Sequence, residues 1–103
     1  MNIIEWLQNY YEGCCDEDWE HTYGIKIGTL DNPGWTVDID LADTAIEDCL
    51  FEKIRIERDD NNWMICRVEN RVFKGDGGVK NLEEILTIFR DWVQTCGASS
   101  SKS

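Results

Sequence analysis

The sequence predicts an α+β domain: a four-stranded antiparallel meander flanked by an N-terminal and a C-terminal helix, in the order α-β-β-β-β-α. Three observations lead there. Residues 3–14 and 82–93 place apolar side chains at helical spacing, and residues 35–41 alternate apolar with polar. Asn32-Pro33-Gly34 and Asp59-Asp60-Asn61-Asn62 separate β-rich runs with turn-forming residues. Each helix has one apolar stripe and each strand one apolar face. The economical packing puts both helices on one sheet face and leaves the other open to water.

The first helix covers residues 2–14, capped by Asn2 with Glu5 three residues on, and Ile3, Leu7, Tyr10 and Cys14 form its apolar stripe. The first strand, residues 22–30, turns Tyr23, Ile25 and Ile27 inward. The second, residues 35–41, turns Trp35, Val37, Ile39 and Leu41 the same way. Between them, proline followed by glycine suits a type II turn, with Gly34 at positive φ. A short polar connection over residues 42–48 leads to a third strand, residues 50–58, with Ile54 and Ile56 inward. A fourth strand runs over residues 63–73, and the adjacent apolar pair Val72-Phe73 marks a bulge or strand end near residue 70. Residues 74–78, KGDGG, read as a flexible loop. The last helix starts at Asn81, buries Leu82, Ile85, Leu86, Phe89, Trp92 and Val93, and ends at Gly97. Residues 1–97 thus form a single domain, followed by a disordered tail over 98–103.

Charge is unevenly distributed along this chain of 103 residues and net charge −11. Residues 1–60 carry sixteen acidic against four basic side chains, a balance of −12, whereas residues 61–103 carry five against six, a balance of +1. Such a field repels nucleic acid and anionic membranes and draws in cationic partners. The five cysteines, Cys14, Cys15, Cys49, Cys66 and Cys96, are odd in number and follow no disulfide framework; with no signal peptide ahead of them, they read as thiols in a reducing cytoplasm. Charged residues interrupt every apolar run before it reaches membrane-spanning length.

No catalytic or metal motif is complete. Cys15 with His21 would be a thiol nucleophile and its base, but Asp16, Glu17, Asp18 and Glu20 surround the pair with charge that opposes a thiolate. That acidic run lacks the alternating ligands and central glycine of a calcium loop. Gly75-Asp76-Gly77-Gly78 precedes a helix without the lysine and hydroxyl residue of a phosphate loop. Asp38 and Asp40 share a strand face, as solvent-facing charges commonly do, and nothing marks a sugar cleft beside them. The chain therefore reads as a binding protein without catalytic residues, cofactor or metal. The alternatives are a small thiol-dependent enzyme built on Cys15 and His21 and a generic acidic adaptor.

The segments WLQNYY (6–11), CDEDWEHTYGIKIGTLDNPGW (15–35), VDIDL (37–41) and FKGDGGVKNLEEIL (73–86) resemble the immunity protein 53 family, encoded beside bacterial polymorphic toxins. The resemblance implies a small cytoplasmic antidote that binds the C-terminal domain of its cognate toxin and blocks it. It implies no catalytic residue. The residues themselves suggest the interface: Asp16, Glu17, Asp18, Glu20, Asp38 and Asp40 supply charge against a basic toxin cleft such as that of a nuclease, and Trp19 and Trp63 supply apolar anchors. Neither nucleic acid nor membrane is expected as a partner, and the protein itself is expected to be a monomer or a weak homodimer.

Overall fold

The structure, a computed structural model, describes residues 2–100, with side chains up to residue 96. Helix α1 (Ile3–Cys14) starts where the Asn2 side chain accepts the Glu5 backbone N–H at 2.8 Å. A four-residue helix, α2 (Trp19–Thr22), follows. Five strands come next: β1 (Ile25–Leu30), β2 (Gly34–Asp40), β3 (Ile54–Asp59), β4 (Asn62–Glu69) and β5 (Val72–Gly77). Helix α3 (Leu82–Ser100) closes the chain. It continues past Gly97, where an end was expected, and of the expected tail residues 101–103 lie outside the described residues.

All neighbouring strands are antiparallel, in the order β1-β2-β5-β4-β3. Five strands replace the expected four because residues 62–77 form a hairpin. Its turn is Asn70-Arg71, both at positive φ (52° and 62°), and Glu69 pairs with Val72 across it. Two successive positive-φ residues match the right-handed twist of the flanking strands, and neither needs to be glycine for the turn to form. The sheet is also not a simple meander. The connection over residues 41–53 carries the chain from β2 to the far edge, and β5 fills the centre between β2 and β4.

That central place corrects the reading of KGDGG as a flexible loop: Lys74 to Gly77 belong to β5. Gly75 and Gly77 face α3. A Cβ on Gly75 would run into the Ile85 side chain, and one on Gly77 would stand 2.9 Å from Ile85 Cδ1. The glycines are there for close approach of helix to sheet, not for mobility. The same reason applies to Gly34. The β1–β2 loop is Asp31-Asn32-Pro33, and among the described residues no glycine has positive φ, so the expected type II turn is absent. Gly34 instead opens β2, where a Cβ would strike the Gly77 carbonyl oxygen.

The core lies between the sheet and the two long helices. Val37, Ile39, Met64, Cys66 and Phe73 meet Ile85, Leu86 and Phe89 of α3 and Ile3 and Leu7 of α1, with Leu41 and Ile46 closing it from the connection. Each large side chain buried this way contributes roughly 1.5–3 kcal/mol. Aromatic rings hold α1 to α3: Trp6 and Tyr10 lie 6.0 and 5.2 Å from Phe89, and Phe89 lies 5.0 Å from Phe73. Ile27 departs from its expected inward position. Its face is the helix side of β1, but it remains 41% exposed because no helix reaches that edge.

Two cysteines also depart from expectation. Cys49 and Cys96 form a disulfide with Cα atoms 6.5 Å apart, leaving Cys14, Cys15 and Cys66 free. The sequence separation of 47 hides this pairing. Folding brings the pair together because the β2–β3 connection doubles back onto α3, where Trp92 Nε1–H donates to the Leu50 carbonyl at 2.9 Å. The inference from five thiols to a reducing compartment therefore loses its premise. Among the described residues no helix is long and apolar enough to cross a membrane.

Candidate functional site

The acidic run following α1 is organised by its own carboxylates. Asp16 Oδ1 accepts the backbone N–H groups of Trp19 (2.8 Å) and Asp18 (3.1 Å), doing for α2 what a capping residue does. Those two N–H groups, Trp19 first, hold the Asp16 carboxyl below its ordinary pKa. Glu20 reaches back to the N–H groups of Glu17 (2.9 Å) and Asp16 (3.0 Å). Glu17 sits at φ 74°, a left-handed conformation held by these bonds. Two of the four acids thus build the loop. The carboxylates of Glu17 and Asp18 have no hydrogen-bond or ion-pair partner among the described residues, and both side chains are exposed.

Trp19 is not the exposed anchor expected. It is 4% exposed, and its Nε1–H donates to the Ala42 carbonyl at 2.9 Å, tying the acidic loop to the β2–β3 connection. The connection brings further acids with it. Asp43, exposed and at φ 61°, lines a cleft of about 300 Å³ with Asp16, Asp18 and Tyr23. Glu47 accepts the Asp43 N–H at 2.8 Å and lies 3.6 Å from Arg71. The run at 16–20 and the acids at 43 and 47 therefore gather at one end of the sheet, where β1 begins and β2 ends.

The open sheet face that carries Asp38 and Asp40 is not uniformly acidic. Register places Lys26, Asp38, Lys74 and Arg67 side by side across four strands, so Asp38 lies between two lysines. Arg55 pairs with Glu57 at 2.7 Å, and Arg67 pairs with Glu69 at 2.8 Å and Asp76 at 3.5 Å. Four basic and five acidic side chains nearly cancel on this face. Asp40 is occupied too: its Oδ2 accepts the Gly24 N–H at 2.9 Å and fixes the start of β1. Trp63 is half-buried on the same face but at the opposite end of the sheet, beside Glu57, Asp59 and Asp60. The expected set is thus not one patch. Asp16, Glu17, Asp18 and Glu20 come together, Asp38 lies between lysines, Asp40 is taken up by the Gly24 N–H, and Trp63 stands apart.

Another concavity, about 730 Å³, lies between the β3–β4 turn and the start of α3. Arg58 bridges it with two bonds to Glu84, 3.1 and 2.9 Å long. Arg58 and Lys80 offset Asp59, Asp60 and Glu84 there, so it lacks the one-sided field of the other end.

Thiol chemistry finds no support in the geometry. Cys15 caps the end of α1, His21 is exposed on α2, and no hydrogen bond joins them among the described residues. Burial raises the pKa of Cys14, and it pushes that of Cys66 up to about 12; both effects keep the thiol protonated. Among the described residues no group of three or more His, Cys, Asp and Glu side chains is placed to hold a metal ion.

Sequence reasoning missed Asp43. Its residue type and polar surroundings were visible, but its approach to Asp16 depends on the Trp19–Ala42 bond, which joins segments 23 residues apart. No curated protein and no solved structure matches the chain significantly. The sequence model of the immunity protein 53 family matches residues 4–94, taking in the acidic loop, all five strands and most of both long helices. The chain belongs to the immunity protein 53 family.

Proposed function

We propose that the protein neutralises a cognate bacterial toxin domain by presenting the acidic end of its sheet to a basic surface on that domain. Membership of an immunity protein family supplies the class of function. The observation that carries the interface is the convergence of Asp16, Asp18 and Asp43 around one cleft, with Glu17 next in sequence to two of them. A toxin that handles nucleic acid has a basic cleft, and a rigid acidic surface occludes it as a polyanion would. Asp16 and Glu20 hold the loop rigid, while Glu17, Asp18 and Asp43 supply outward charge. Asp38 and Asp40 extend the surface onto the open face, with less effect because Lys26 and Lys74 flank Asp38. Trp63 contributes only to a toxin large enough to span the sheet. Inhibition of this kind needs no catalytic residue, and the protein acts as a stoichiometric binder in the cytoplasm of the cell it protects.

The test uses Glu17→Lys with Asp18→Lys, whose wild-type carboxylates make no internal bond. Association with the cognate toxin domain is measured by stopped flow across a salt series. The double variant is expected to associate roughly tenfold more slowly at low salt, with a shallower salt dependence. An unchanged rate and an unchanged salt slope would refute the acidic-end interface.

A further inference from the structure

The sheet has two free edges, and they are not alike. Edge strand β3 carries Arg55, Glu57, Arg58 and Asp59, all exposed, which is how soluble proteins discourage another chain from pairing. Edge strand β1, IKIGTL, has one charge, Lys26. Its outward backbone groups can be assigned from the ladder. The Asp40 N–H donates to the Gly24 carbonyl, so Gly24 and every second residue after it bond to β2. Ile25, Ile27 and Thr29 therefore turn their N–H and C=O groups away from β2. Ile27 also leaves its side chain 41% exposed on the helix side of the sheet, beyond the reach of either long helix.

We propose that β1 is a dimerisation edge, pairing antiparallel with β1 of a second copy to join two five-stranded sheets into one of ten. The occupant follows from the strand's own sequence. A twofold axis through Ile27 sets Ile27 against Ile27 of the second copy, and Ile25 against its Thr29. All three residues have outward backbone groups, so each pair exchanges both hydrogen bonds. Lys26 falls opposite Gly28 of the second copy, where no like charge meets it. Shifting the axis to Lys26 would oppose two lysines, which disfavours that register against the Ile27 one. An isologous contact of this kind uses one patch twice and closes at two subunits. It covers the part of the core side that the helices leave open. Because each copy carries −11, association strengthens as salt is added, opposite to the toxin contact proposed above.

Sedimentation of the free protein between roughly 10 µM and 1 mM tests this without any toxin. The weight-average mass is expected to rise from 12.0 kDa towards twice that value. Backbone amide exchange at Ile25, Ile27 and Thr29 should slow over the same range. Ile27→Lys and Thr29→Pro should each stay monomeric while keeping the wild-type circular dichroism spectrum. Thr29→Pro removes only an outward N–H, so pairing of β1 with β2 survives it. A wild-type mass that stays at the monomer value, or a dimer with unprotected β1 amides, would overturn the proposal. A dimer that persists in both variants would do the same. So would a monomeric wild type whose β1 amides become protected only when toxin is added, because the edge would then belong to the toxin.

Discussion

Arg71 shows at the scale of one residue how much of this fold rests on positions that sequence preference disfavours. It occupies the second position of the β4–β5 turn at φ 62°, a conformation in which an L residue other than glycine is destabilised by about 1 kcal/mol. The turn nevertheless forms, because Glu69–Val72 pairing on one side and the bond from Leu41 N–H to the Arg71 carbonyl (2.8 Å) on the other leave no alternative. The Arg71 guanidinium lies 3.6 Å from Glu47 and is well exposed, so its charge adds little stability. Arg71→Gly should therefore stabilise the protein slightly, by up to about 0.5 kcal/mol after the added freedom of the unfolded chain is counted. Urea unfolding with an unchanged slope measures it, and a variant less stable than wild type would mean that the Arg71 side chain contributes more than its exposure implies. Residue-level reading failed in the same way at Trp19. A tryptophan among four acids reads as an exposed anchor, yet one hydrogen bond to Ala42 shows it to be a buried link between two segments distant in sequence.

Among the elements, β5 was the hardest to read, and the reason is physical. Both helices, the β1–β2 hairpin and the alternation of β2 were legible because each depends on local periodicity and capping. The strand VFKGDG has little β propensity, and its two inward glycines resemble loop residues. What makes it a strand is non-local: β2 and β4 bond to it on both sides, and α3 settles onto the space its glycines leave. The acidic end was half legible for the same reason, since Asp16–Glu20 is contiguous in sequence and Asp43 is not. The α3–β5 contact makes a specific prediction. Gly75→Ala should cost about 1–3 kcal/mol, because its Cβ would run into Ile85 in a filled core. Ile85→Ala alone should cost about 2–5 kcal/mol by leaving a cavity. Combined, the two should cost less than their sum by more than about 0.5 kcal/mol, since the new methyl occupies the vacated space. Chemical denaturation of all four proteins closes the cycle, and strict additivity would show that Gly75 serves some other purpose than helix approach.

Over the whole molecule, a strong like-charge field is balanced by a crosslink that no local pattern announces. A net charge of −11 on 103 residues repels itself, and the acids concentrated near the β2–β3 connection press hardest on that segment. The connection is long, has turns but no strand or helix of its own, and bears the fully exposed Leu50. Among its attachments are Ile46 in the core, the Trp19–Ala42 and Trp92–Leu50 hydrogen bonds, and the Cys49–Cys96 disulfide. The disulfide closes a loop across 47 residues that contains β3, β4, β5 and most of α3, so it removes much of the freedom of the unfolded chain. Loop-closure entropy for that span is worth about 4 kcal/mol, a large share of the stability of a domain this size. Cys49→Ser should therefore lose roughly 2–4 kcal/mol in denaturant unfolding, and wild type treated with reductant should fall to the same value. Thiol titration of the unfolded, unreduced protein should find the three thiols of Cys14, Cys15 and Cys66, rising to five after reduction. Five thiols before reduction, with stability indifferent to reductant, would refute the crosslink and leave the connection to its packing and hydrogen bonds.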